Sequence, residues 1–304
     1  MPGDVKAPAL ELRQPCSAAE LSEAIAKADC SGGAATVVGI GAMGTQYVSA
    51  LLALGVRRVR ISSRSTQPLE SFRGRDGIET FEGGIEQFAG RPTPGELGII
   101  ATPTALLVQA VERLVSLGFR RLLIEKPVAL WSTEIERLAQ DLERRDVEAS
   151  CAYNRVAYPS FHEVRASAAR EGGMTSCTYT FTEWIKPDWR ERFLPGELAR
   201  VGIANSLHVM SMAHGLIGWP ATWAGHRAGR LPWHPTGTVF VGSGLSDQGI
   251  PFSYHADWGS TGRWSVEVHT AAASYRLCPL EKVFRRISAI GEWMEIPVAA
   301  FAPQ

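Results

Sequence analysis

The sequence predicts an α/β protein whose first half is a doubly wound parallel sheet, followed by a second domain. Three observations predict it. An apolar β-run ending at Val38 breaks into Gly39-Ile40-Gly41-Ala42-Met43-Gly44 and then into a helical pattern carrying Tyr47, Leu51, Leu52 and Leu54. Short apolar runs then alternate with helical ones as far as Cys151, which argues a parallel sheet with crossover helices. A length of 304 residues with 45% hydrophobic content suits two packed domains.

The chain opens with a helical extension, residues 1–34. Ser17 and Glu20 have the spacing of a capping box, and Leu21, Ile25 and Ala26 mark the apolar face of a short helix ending near Ser31-Gly32-Gly33. The glycine loop follows. Gly39 permits a tight strand-to-helix turn, Gly41 lets the backbone approach a pyrophosphate, and Gly44 lets the helix lie close on the strand. A pyrophosphate would rest on the free N–H groups at the helix start, together with Ala42 and Met43. Gly55 closes that helix and a second β-run, Val56 to Ile61, comes next.

That run ends in Ser62-Ser63-Arg64-Ser65. NAD sites place a carboxylate here for the adenosine ribose hydroxyls. The next acid in this chain is Glu70, and three hydroxyls with a guanidinium suit a 2′-phosphate instead. NADP is therefore expected over NAD. Gly98 to Ala101 reads as another buried strand, Leu106 to Leu117 as its helix, and Arg121 to Ile124 as the next strand. Ligands in such sheets gather at strand carboxyl ends, where Ala101-Thr102-Pro103 and Glu125-Lys126-Pro127 fall. A helix over Ser132 to Asp146 and a strand over Val147 to Cys151 complete a dinucleotide-binding domain of residues 35–152, leaving 153–304 for the second domain.

The totals narrow the function. Lysine plus arginine and aspartate plus glutamate number 31 each, so no net field recruits nucleic acid or an anionic membrane. Five widely spaced cysteines without a Cys-x-x-Cys pair read as free thiols of a reducing compartment. Met1-Pro2-Gly3-Asp4 lacks the basic start of a signal peptide, and Val201 to Trp219 is too polar to span a membrane. A cytoplasmic protein is expected.

The glycine loop, Ala101-Thr102-Pro103, Glu125-Lys126-Pro127 and Tyr153-Asn154-Arg155 before Pro159 together resemble the Gfo/Idh/MocA oxidoreductases. The resemblance implies an N-terminal Rossmann domain and a C-terminal α+β domain on a large, open, mostly antiparallel sheet. It also implies NAD or NADP as cofactor, homo-oligomers assembled through that sheet, and small substrates such as sugars, cyclitols and nucleotide sugars. Ala256-Asp257-Trp258 through Pro279-Leu280-Glu281 is more loosely similar to short members from surface-polysaccharide and nucleotide-sugar pathways. The family lysine maps onto Lys126, near nicotinamide and substrate, and Asn154 and Arg155 fall beside it as substrate candidates.

Chemistry agrees with that role. A lysine partly desolvated at a strand end has a lowered pKa and can donate a proton to a carbonyl oxygen or polarise it. The helix over Leu198 to Leu216 carries Asn205 and His208 near one face. His208 matches the family histidine, but Ala204 stands where the family has aspartate, so the usual acid–base pair is incomplete. His208 is expected to exchange a proton or clamp substrate beside Lys126 and Asn205. Trp184 and Trp189 are expected as walls of the substrate pocket or as core residues. Pro251 to Trp258 and Arg263 to His269 alternate with period two across Gly259-Ser260-Thr261-Gly262, which predicts an antiparallel hairpin with Trp264, Val266 and Val268 on one face. His255, His269 and Asp257 are expected on a wet face or at an interface, and no metal site is expected.

The expected activity is hydride transfer between NADP(H) and a sugar or nucleotide-sugar carbonyl. Two alternatives stay open. One is an imine or enone reductase, which needs less help from a base. The other is a non-catalytic module that senses NADP(H).

Overall fold

The computed structural model describes residues 16–186, 188–231, 234 and 237–298. Residues 1–15 of the expected N-terminal extension lie outside the described residues. Helix α1 (Ala18–Lys27) starts at the predicted capping box: Ser17 Oγ accepts from Glu20 N–H, and Glu20 Oε2 accepts from Ser17 N–H at 2.7 Å.

The nucleotide half then runs β1 (Ala34–Val38), α2 (Ala42–Ala53), β2 (Arg58–Ser63), α3 (Gln67–Glu70), β3 (Ile78–Glu82), α4 (Gly84–Gln87) and β4 (Leu97–Ile100). It continues with α5 (Leu107–Leu117), β5 (Arg121–Ile124), α6 (Ser132–Arg144) and β6 (Glu148–Cys151). Its six strands are ordered β3-β2-β1-β4-β5-β6 and every pairing is parallel. The order reverses between β1 and β4, which opens a crevice at their carboxyl ends. Helix α5 shows why the sheet is covered: Leu107, Ala110, Val111, Leu114 and Val115 recur at three- and four-residue spacing and all are buried. Gly118, with φ +107°, ends it in the left-handed conformation.

The second half runs α7 (Pro159–Arg170), β7 (Ser176–Phe181), α8 (Trp189–Arg192), α9 (Pro195–Leu198) and α10 (Val201–Ile217). Seven strands follow: β8 (Pro220–Ala228), β9 (Val239–Ser246), β10 (Pro251–Asp257), β11 (Trp264–His269), β12 (Ser274–Leu277), β13 (Val283–Arg286) and β14 (Met294–Ile296). With β7 they form an eight-stranded sheet, β14-β13-β12-β11-β7-β10-β9-β8, antiparallel except where β10 meets β7. This is the large, mostly antiparallel sheet that the resemblance implied. Helices α7 and α10 bury its inner face, where Tyr179, Phe181, Phe252, Val266, Val268 and Tyr275 pack against Phe161, Val209 and Met212. The opposite face leaves Val241 and Leu245 exposed.

The expected hairpin is not there. Strand β7 lies between β10 and β11, with Phe252 opposite Cys177 in parallel and Trp264 opposite Phe181 antiparallel. Period-two alternation identifies each segment as a strand but says nothing of its neighbour. The six residues between β10 and β11 are enough to pass over the end of β7. The facing was right: Val266 and Val268 are fully buried and Trp264 is partly so. Among the described residues, no helix is long and apolar enough to cross a membrane.

Candidate active site

The glycine loop joins β1 to α2. Gly39 has φ +94°, and a side chain there would meet the Ala101 carbonyl at 2.6 Å. A Cβ at Gly44 would collide with the Gly39 carbonyl, so the helix needs glycine to lie against the strand. Gly41 differs from both: a Cβ there would meet nothing within 4 Å. Packing does not require glycine at Gly41, whereas close approach of a ligand does. Gly41 is also the N-cap of α2 and offers no side-chain cap, so the first-turn N–H groups face the crevice without a side-chain acceptor. Buried nearby, Thr102 Oγ1 has no hydrogen-bond partner. These features fit a dinucleotide phosphate.

A cleft of about 630 Å³ runs from this loop across the strand ends. Gly39, Gly41, Ala42 and Met43 line it, as do Ser62 to Ser65, Ala101 to Pro103, Glu125, Lys126, Trp189 and Asn205. Among the sequence-derived site residues, Gly44, Asn154, Arg155, Trp184 and His208 do not line it. The four residues after β2 are not equivalent. Ser62 is buried with its hydroxyl donating to the Gly84 carbonyl, and Ser63 Oγ accepts from Ser65 N–H. Arg64 and the Ser65 hydroxyl remain at the surface of the cleft. A carboxylate does reach this end, though not from β2: Glu86 on α4 borders the cleft close to Arg64.

Glu125 and Lys126 follow β5, and the Lys126–Pro127 peptide is cis. The Tyr47 hydroxyl donates to Glu125 Oε1 at 2.6 Å, so this carboxylate ties the strand end to α2. Lys126 Nζ donates to the Ala204 carbonyl of α10 at 3.1 Å. Burial pulls the Lys126 pKa below the usual lysine range; Glu125 and Glu183 oppose that shift, and the Arg155 charge adds to it. His208 is pushed down to about 3 by burial, with the positive charges of Lys126 and Arg155 acting in the same direction. It is therefore a neutral imidazole near neutral pH. Its Nδ1 is buried without a partner, and the ring stacks obliquely on Trp264 at 5.6 Å. The Arg155 guanidinium lies over Tyr158 at 4.7 Å and reaches the Trp264 ring at 6.0 Å, while Asn154 Oδ1 is buried without a partner. Lys126, which lines the cleft, thus stands in one cluster with Arg155, His208 and Trp264.

The two tryptophans part company. Trp189 is 7% exposed and packs on Phe193, Leu198 and Val201 while also bordering the cleft. Trp184 is 80% exposed and lines neither the cleft nor the cluster. A second cavity of about 610 Å³ lies against another face of α10, walled by Tyr179, Phe240, Tyr254 and Trp258, and none of the predicted site residues borders it. Among the described residues, no group of histidine, cysteine or acid side chains is arranged to hold a metal ion.

A family model described as an oxidoreductase family with an NAD-binding Rossmann fold, GFO_IDH_MocA, matches residues 34–153. No curated protein matches the sequence. Solved structures show the same fold at low identity. A Desulfitobacterium hafniense protein, provisionally assigned as an NADPH-dependent oxidoreductase, is 18% identical with a TM-score of 0.70, over 88% of this chain and 82% of that one. The UDP-N-acetylglucosamine 3-dehydrogenase GnnA of Acidithiobacillus ferrooxidans is 13% identical with a TM-score of 0.65, over 88% and 83%. An Agrobacterium radiobacter oxidoreductase solved with NAD+, L-tartaric acid and magnesium is 15% identical with a TM-score of 0.67, over 89% and 80%.

One group escaped sequence reasoning. Glu183, two residues past β7, is 3% exposed. Its Oε1 accepts from Ser206 Oγ at 2.8 Å and its Oε2 from Asn205 Nδ2 at 3.1 Å. Burial pushes it up to about 7, against the pull of those bonds, the Trp264 indole N–H and the Lys126 charge. A signal was present. Cys177, Tyr179 and Phe181 face inward by alternation, and Glu183 continues their parity into the apolar face.

Proposed function

We propose that this chain is an NADP-dependent oxidoreductase that transfers hydride between nicotinamide and the carbonyl or alcohol carbon of a sugar or nucleotide sugar. The observation that carries this reading is the placement of Lys126. Its desolvated ammonium borders the same cleft as the Gly39–Gly44 loop and stands beside His208 and Arg155. Gly39, Gly41, Ala42, Met43 and Gly44 would hold the pyrophosphate, and Ala101, Thr102, Pro103 and Glu125 would border the nicotinamide side. The bound nucleotide supplies or accepts the hydride.

Lys126 delivers a proton to the carbonyl oxygen during reduction and receives one during oxidation. His208, held neutral, donates or accepts one hydrogen bond and fixes the substrate hydroxyl. It is too weak a base to carry the proton itself, because a pKa near 3 leaves little driving force at neutral pH. Asn154, Arg155 and Asn205 complete the polar wall, and Trp189 gives an apolar face to one end. Arg64 and Ser65 support NADP over NAD, since a guanidinium and a free hydroxyl suit a 2′-phosphate. Ser62 drops out as a ligand because its hydroxyl is already committed. Trp184 drops out as a pocket wall because it stands in solvent.

The functional division we adopt is 1–34, 35–152 and 153–304, supported by sheets ending at Cys151 and beginning at Ser176. Assembly into a homo-oligomer through the open face bearing Val241 and Leu245 belongs to the same reading. So does a reducing, cytoplasmic setting, which the five free cysteines support. Two similar structures named above point the same way: one is a nucleotide-sugar dehydrogenase and one carries an NADPH-dependent assignment.

The test has two steps. Fluorescence titration compares NADPH with NADH, and tighter NADPH binding is expected. Enzyme with bound NADPH is then mixed with a panel of keto-sugars, nucleotide sugars and cyclic imines while absorbance is followed. Oxidation by a sugar-class compound supports the reading, and oxidation by imines alone replaces it with the imine reductase, which Ala204 favours. NADPH binding without oxidation by any compound would favour the sensor.

A further inference from the structure

Helix α10 presents Val201, Ala204 and Asn205 to the cleft and His208 toward the lysine, and none of them carries a charge near neutral pH. A carboxylate arrives from the sheet instead. Glu183 reaches α10 from the end of β7, and its two oxygens are held by Asn205 and Ser206, the two residues that follow Ala204, whose carbonyl receives Lys126. Acid and lysine are close enough to shift each other's proton affinity. The other groups facing this pair are Glu125 after β5, Cys151 at the end of β6, Arg155 in the turn beyond it, and His208 and Trp264 from α10 and β11.

We propose that Glu183 is a positioning residue that sets the charge on Lys126, supplying from the second sheet the anion that α10 lacks at Ala204. This rests on the reading of Lys126 as the proton-handling group. If Glu183 served only to anchor α10, glutamine of the same shape would keep a bond to each of Asn205 and Ser206. A buried carboxylate is costly unless it is hydrogen-bonded and paired; the bonds from Ser206, Asn205 and the Trp264 indole do most to hold the charge of Glu183, and the Lys126 ammonium is the cation that adds to them. With Glu183 ionised, the ammonium form of Lys126 is stabilised. When Glu183 takes a proton, Lys126 gives up its own more readily. A carboxyl that titrates close to neutrality therefore adjusts the lysine across the working pH range.

The experiment measures Lys126 directly and needs no substrate. An amine-selective acylating reagent labels only the unprotonated lysine, and peptide mass spectrometry follows labelling of Lys126 across pH in wild type and Glu183→Gln. Removing the anion should move the Lys126 profile to lower pH. At a fixed pH below the midpoint the variant should label several-fold faster, about tenfold if the shift is a full unit. Glu183→Asp should restore part of the wild-type profile. Superimposable profiles in wild type and Glu183→Gln would overturn the proposal.

Should Glu183→Gln fail to fold by circular dichroism, the reciprocal variant carries the test. Infrared titration of wild type should show one carboxyl ionising close to neutrality, and Lys126→Met should raise its midpoint. No such carboxyl, or an unmoved midpoint, overturns the coupling. NADPH titration of wild type runs in parallel. Absence of nucleotide binding would sink the oxidoreductase reading while leaving the Glu183–Lys126 coupling to stand or fall on its own profile.

Discussion

His208→Gln exposes the electrostatics of the cluster without any knowledge of substrate. In the folded chain His208 sits at about 3, against 6.5 for a free histidine, because burial and the charges of Lys126 and Arg155 exclude a further proton. The unfolded chain therefore binds a proton that the folded chain refuses at every pH between those values. Stability from this group is complete above about pH 6.5 and is lost as pH falls toward 3. Each unit of that interval is worth about 1.4 kcal/mol, so lowering the pH from about 7 to about 5 costs wild type roughly 2 kcal/mol through His208. Glutamine does not titrate, and His208→Gln should escape that loss. His214, pushed down to about 4 by burial, adds a loss of its own, and Glu183, pushed up to about 7, acts with the opposite sign. Both contributions are common to the two proteins and cancel in the difference. The assay is denaturant unfolding of both at the two pH values, with the midpoint and slope read together. Equal pH-induced losses in wild type and His208→Gln would refute the picture of an imidazole kept neutral by its neighbours.

Four other changes should each have a defined effect. Arg64→Ala should weaken NADPH binding about 10- to 100-fold in a fluorescence titration and leave NADH nearly untouched, since one charge-assisted contact is worth roughly 1.5–3 kcal/mol. Lys126→Met should lower turnover of a reacting substrate by roughly 10²–10⁴-fold with NADPH affinity retained. Gly44→Ala drives a methyl into the Gly39 carbonyl, and calorimetry should show a loss of about 1–3 kcal/mol together with impaired nucleotide binding. Arg60→Met leaves the Glu96 carboxylate buried with only Thr36 and Thr93 as donors, and should cost on the order of 3 kcal/mol in denaturant unfolding.

The nucleotide half was legible because its signals are local. Glycines at three fixed spacings, a capping box at Ser17 and Glu20, and a helix stop at Gly118 each act within a few residues, and each stands where expected. The second half was legible strand by strand but not in its pairing. β10 and β11 are neighbours in sequence, and only the distant β7 decides that they never touch. Several strands went unread, because β8 is exposed along almost its whole length and β13 and β14 are short. At the site, Lys126 was marked by the resemblance and its place at a strand end agreed with it, whereas Glu183 required knowing which face of β7 meets α10. The case for Trp184 rested on residue type and its place ahead of the histidine helix, and the side chain is 80% exposed with the Lys186 ammonium over its ring.

The ammonium of Lys126 is aimed by a carbonyl of the main chain, that of Ala204, and not by a side chain. No amino-acid replacement at 204 deletes that acceptor, so the aim of the lysine is independent of what the residue displays. The side chain at 204 is thereby free to vary: a carboxylate, a hydroxyl or a bare methyl can border the cleft there while the lysine keeps its acceptor. An ammonium has three N–H bonds and spends one on this tether, which leaves two for whatever enters the cleft.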